Sequence, residues 1–125
     1  MYGEQFEKCK VEREEYENCT FRQCDLAESN LSGAKFIDCV FLSCNLSLCK
    51  LDGATFQDVR FEDCKLLGLR FDTASAFGFS ISAQNCQLQH ASFFRAKLRK
   101  VKFDHCQLQG VDFGEADLTE ATFGH

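Results

Sequence analysis

Nine cysteines, three histidines and a run of five cations are the residues of this 125-residue chain with chemistry in them. Zinc takes convergent thiolates or imidazoles, usually in short pairs such as C-x₂-C. Here Cys9, Cys19, Cys24, Cys39, Cys44, Cys49, Cys64, Cys86 and Cys106 are never closer than five residues. An odd number of cysteines without a secretory signal does not make a disulfide framework, and a cytoplasmic chain keeps them as thiols. His105 and His125 fall one repeat apart, which gives two ligands without a third, and His90 stands alone. No nucleophile motif, glycine-rich phosphate loop or paired acids at a cleft is present. These residues predict no enzyme, no metal and no cofactor, with each cysteine acting as a small buried hydrophobe.

What places the cysteines is a period. Large apolar residues recur every fifth position, from Phe6 through Phe21, Leu26, Phe36, Phe41, Phe56, Phe61, Phe71 and Ala76 to Ile81. The phase then slips by two and resumes from Leu88 through Phe103 to Phe123. Every cysteine lies two residues before one of these positions, and most of the other such slots hold Ala or Val. A period of five smears around a helix and flips faces on a long strand. It fits a short extended side with two inward residues, followed by a corner. Five glycines (Gly33, Gly53, Gly68, Gly78, Gly110) fall two after the large residue, where a corner uses their backbone freedom.

A second period of 20 sets the number of sides. Cys24, Cys44, Cys64, Cys86 and Cys106 stack in one column, and Phe21, Phe41, Phe61, Ile81, Phe103 and Phe123 in another. Four sides per coil give about six coils and a rod of about 29 Å, coils being about 4.8 Å apart. The expectation is all-β: a single four-sided solenoid over residues 1–125, with 1–15 an irregular first coil or cap (Glu4 and Glu14 occupy inward slots) and a two-residue insertion within 82–85. The structural core is Phe21, Phe36, Phe41, Phe56, Phe61, Phe103 and Phe123 with the cysteine column. The repeat is still running at Phe123, so a homodimer through an uncapped C-terminal end is a further expectation.

Ala116-Asp117-Leu118-Thr119-Glu120 resembles the Ala-(Asp/Asn)-Leu-X-X motif of the pentapeptide repeat family, and the likeness runs along nearly the whole chain. It implies a right-handed quadrilateral β-helix. Two stretches, Glu17 through Phe41 and Phe71 through Gly78, look more narrowly like the Qnr quinolone-resistance proteins, and no loop of the Qnr type projects from the coils. That likeness implies a DNA-mimicking modulator of DNA gyrase or topoisomerase IV. The alternative is a structural scaffold for protein–protein interaction with an unrelated partner.

Charge and surface bear on the partner. The net charge of −5 argues against direct binding to nucleic acid, and no apolar run is long enough to span a membrane. The acidic surface is interrupted by a basic belt (Arg95, Lys97, Arg99, Lys100, Lys102) that pairs on paper with Glu115, Asp117 and Glu120 one coil on. Ile37, Leu42, Phe77 and Phe94 fall on outward slots and are the candidate partner-binding residues; the alternative is scattered surface apolar residues, with Arg99 stacked over Phe77.

Overall fold

A computed structural model of the chain describes the backbone of residues 5–7 and all of residues 15–124. The cap expected over 1–15, with Glu4, Glu14 and Cys9, lies almost wholly outside the described residues, as does His125.

The chain winds as an all-β, right-handed four-sided solenoid of parallel coils. One side is a seven-stranded sheet made of β1 (Gln5–Glu7), β3 (Thr20–Arg22), β5 (Val40–Leu42), β7 (Val59–Glu62), β8 (Ile81–Gln84), β9 (Lys102–Asp104) and β10 (Thr122–Gly124), in that order. The preceding side carries β2 (Glu15–Glu17), β4 (Lys35–Ile37) and β6 (Thr55–Gln57). The other two sides pair through single bridges, such as Asp25 to Asn45 to Lys65 and Asn30 to Lys50. Each side is too short for more than two inward side chains, which is why the sequence repeats in fives.

Corners are sharp because the residue two after nearly every large one is left-handed, the exception among the described residues being Thr73 in the 3-10 turn Phe71–Thr73. Gly33 and Gly53 have φ of +75° and +70°, and non-glycine residues such as Asn18, Asp38 and Leu48 adopt the same region at equivalent places. Five of these fifteen non-glycine residues, Asn18, Asp38, Asp58, Asp63 and Asn85, are Asn or Asp, the side chains that tolerate it best. Inside, rings stack coil on coil: Phe21 on Phe41 at 4.7 Å, Phe41 on Phe61 at 5.2 Å, and Phe71 on Phe93 at 4.9 Å. Edge contacts such as Phe36 to Phe41 (5.3 Å) join neighbouring stacks, both geometries that suit the ring quadrupole.

The insertion is not where the sequence pattern puts it. Through β7 the coil offset is 20 residues (Val40 to Arg60), but β8 pairs Val59 with Ile81 and Phe61 with Ala83, an offset of 22. Ser75 still donates its N–H to Ala54 at the old offset, while Ser80 donates to Phe56 at the new side. The extra residues therefore lie between Ser75 and Ser80, not within 82–85. Ile81 sits in the small-residue slot and Ala83 in the ring column. Ala76, read as inward, is exposed, and Phe79 re-enters instead to pack against Phe56 (6.4 Å) and Phe71 (6.1 Å). Phe79 thus supplies volume that Ala76 and Ala83 cannot.

Candidate protein-binding surface

The buried side chains are spoken for by packing. Phe21, Phe36, Phe41, Phe56, Phe61 and Phe103 are buried, as are Cys24, Cys44, Cys64 and Cys86. Cys106 is half-buried and Phe123 is 44% exposed, because both belong to the last described coil, which has a neighbour on one side only.

In the stacked column Cys44, Cys64 and Cys86 each rest between two carbonyls. Cys44 Sγ is 3.3 Å from the Phe21 oxygen and 3.4 Å from that of Leu42, and Cys64 repeats this with Phe41 and Glu62. These contacts satisfy the weak S–H donor inside the rod. The Cys64 thiol is pushed up, first by its hydrogen-bonding neighbours Cys44 and Cys86 and then by burial. Burial pushes Cys39 and Cys49 up to about 11. A raised thiol is a poor nucleophile. Among the described residues no group of three or more His, Cys, Asp or Glu side chains is placed to hold a metal ion.

The surface is less uniform. Phe77, at the tip of the insertion, is 78% exposed. Gly78 beside it has φ +65°, and a β-carbon there would lie 2.8 Å from Gln57 Nε2, so the insertion leans on Gln57. Gln57 is in register with Ile37, which is half-buried. Leu42, also half-buried, lies at the far corner of the next side and does not join them.

Phe94 comes from the next coil. Its ring lies across Gly114, where a β-carbon would meet Cδ1 at 2.9 Å, and the Arg95 guanidinium sits 5.1 Å from the ring centroid. The cation–π contact thus falls on Arg95 and Phe94 rather than on the expected Arg99 and Phe77. A cleft of ≈ 200 Å³ separates the insertion from this coil, walled by Ala76, Phe79, Phe94 and Ala96, with Arg95 and Lys97 at its rim.

The ion pairs read from the sequence hold only in part. Arg95 Nε is 3.5 Å from Glu115 Oε1, both side chains being largely exposed. Lys97 and Asp117 are in register, but Asp117 Oδ1 accepts from the N–H and hydroxyl of Thr119 at 3.1 and 2.6 Å. Asp72 is gripped by Arg70, which donates from Nε at 2.9 Å and Nη2 at 2.7 Å. That fork holds the Asp72 carboxyl below its usual range.

Sequence reasoning missed the cleft because it placed the insertion one side too late. The available signal was Phe79, a ring that the expected register puts in a slot holding Cys, Ala or Val at most other places.

The model of the pentapeptide repeat region matches residues 14–77 and 54–125. No curated protein sequence matches the chain. Among solved structures, it is similar to HetL, a pentapeptide repeat protein involved in heterocyst differentiation regulation from the cyanobacterium Nostoc sp. strain PCC 7120. Identity is 18% over 94% of this chain and 65% of HetL, with a TM-score of 0.59, a likeness of fold. Full-length QnrB1, a plasmid-mediated fluoroquinolone resistance protein, matches at 19% identity over 98% of this chain and 92% of that one, with a TM-score of 0.43. A trypsin-treated form of QnrB1 matches at 24% identity over 96% and 72%, also with a TM-score of 0.43. No helix among the described residues is long and apolar enough to cross a membrane.

Proposed function

This chain belongs to the pentapeptide repeat family, and from that premise we propose that it acts without catalysis, as a rigid rod that engages a protein partner through the insertion and the coil beneath it. The observation that carries this reading is Phe77, 78% exposed on a segment that departs from the coil period. Burying such a ring is worth about 1.5–3 kcal/mol, so a partner that covers it gains what the folded rod leaves unused. Tyrosine, tryptophan and phenylalanine are also the side chains enriched where proteins meet. A photo-crosslinking amino acid at position 77, used in living cells, tests it. A discrete adduct is expected there and none from position 45, on another side of the rod; equal labelling from both positions would end this reading.

A second reading, a DNA-mimicking modulator of DNA gyrase or topoisomerase IV, is supported by charge. Asp38 and Asp58 occupy successive left-handed corners one coil apart, on a chain of net charge −5. Acids repeated along a narrow rod suit a surface that normally receives duplex DNA. Supercoiling by gyrase in the presence of a fluoroquinolone is the test. Protection or inhibition that is lost on Asp38→Asn and Asp58→Asn favours it, and no effect on the enzyme removes it.

A further inference from the structure

We infer that the cleft between the insertion and the next coil receives an acidic peptide segment carrying one large apolar side chain. This rests on the protein-binding reading above and adds the chemistry of the partner. Ala76, Phe79, Phe94 and Ala96 give the cleft apolar walls, Arg95 and Lys97 line it as cations, and Asp72 is the one acid in its lining.

The cations of that rim are not consumed by the protein itself. Among the described residues the only belt cation in an ion pair is Arg95, and its contact with Glu115 is exposed on both sides and readily exchanged. The carboxylate in register with Lys97 is turned onto Thr119. The acid within the cleft's lining, Asp72, is held and neutralised by both arms of Arg70. Residues 82–105 carry five cations against one acid, whereas in the neighbouring groove beside Ser80 Lys100 and Lys102 are joined by Asp38 and Asp58, so the uncompensated positive charge is at the cleft.

Of the acids on the coil beyond the belt, Asp112 lies at Gly114 beside the Phe94 ring and accepts the Gly114 N–H at 2.8 Å, and Glu115, Asp117 and Glu120 follow it along that coil. A ligand in the cleft meets positive potential on the open side and carbon below it. An aromatic or leucine side chain fills such walls, and flanking carboxylates match the rim. Arg95 is held over Phe94 at 5.1 Å from the ring centroid, which keeps a cation at the apolar wall, and its exposed contact with Glu115 is one that a ligand carboxylate can replace.

The test is selection from a phage-displayed library of random peptides on the immobilised full chain, followed by titration of the recovered peptides. Peptides rich in Asp and Glu around a Phe, Trp or Leu are expected, weakened about tenfold by Lys97→Glu and by raised salt. Failure to recover any peptide overturns the inference, as do acidic peptides indifferent to Lys97→Glu. Neutral or basic peptides whose binding needs Phe77 overturn the acidic chemistry alone and leave the protein-binding surface standing. Acidic peptides that need Lys97 but tolerate Phe77→Ser uphold the inference and remove Phe77 from the surface. Both substitutions are at exposed positions, so an unchanged circular dichroism spectrum confirms the fold in each variant.

Discussion

Leu48 lies over Gly68, one coil further along the same corner, with Cδ2 2.8 Å from the place a β-carbon of residue 68 would take. Both residues are left-handed, at φ +60° and +65°. Gly33, at φ +75°, has open space in the same direction. The three positions separate backbone strain from crowding. Gly33→Ala should cost about 1–2 kcal/mol, the left-handed penalty alone. Gly68→Ala should cost about 0.5–1 kcal/mol more, since Leu48 must swing aside. In a Leu48→Ala background that difference should vanish in urea denaturation, and a difference that persists would place its cause elsewhere.

Phe61 is stacked on Phe41 and touches Phe56 and Phe71 at 6.2 Å each, but its neighbour in the next coil is Ala83. Phe61→Ala would set two alanines in succession in the ring column. The cavity cannot collapse, because backbone hydrogen bonds fix the coil spacing. The loss should be about 3–5 kcal/mol, read from the urea midpoint at constant slope. A cost below about 1 kcal/mol would show that the neighbouring rings close the gap.

Most of the solenoid is legible because every coil repeats the same packing problem. A thin core admits one small and one large inward residue per side, so Cys44 before Leu46 and Ala54 before Phe56 announce side, phase and corner at once. The insertion was misplaced because size was the only guide to phase. Ile81 is larger than Ala83 and was given the large slot, yet Ile81 is the partner of Val59, and Phe79 fills space from outside the repeat. Surface function was legible only as exposed apolar residues. Ile37 and Leu42 lie at opposite corners of one side, whereas the Phe94 ring walls a cleft that the insertion closes, and no single-sequence pattern reports that juxtaposition.

Phe77 and Phe79 are two residues apart and have opposite work. Phe77 projects into solvent, while Phe79 is partly buried against Phe56 and Phe71. Phe77→Ser should change stability by less than about 0.5 kcal/mol, as exposed substitutions do. Phe79→Ser should cost about 2 kcal/mol or more, from lost burial and a hydroxyl placed among rings. Thermal denaturation of both variants checks this, and equal effects would contradict the register that places the insertion before Ser80.

Two buried thiols, Cys39 and Cys49, make stability fall in alkali. Cys39 and Cys49 are held up to about 11 by burial, against 9.0 for a thiol in the unfolded chain. Between about pH 9 and about pH 11 the unfolded chain has released these protons and the folded chain has not, so unfolding is favoured as pH rises. The contribution is present in full below pH 9 and lost through the interval above it. The urea midpoint should decline across that range, and the decline should be shallower in a Cys39→Ala, Cys49→Ala double variant. That control separates the thiols from lysine and tyrosine, which titrate in the same window. Equal slopes in both proteins would mean that these two thiols ionise as readily inside the rod as outside it.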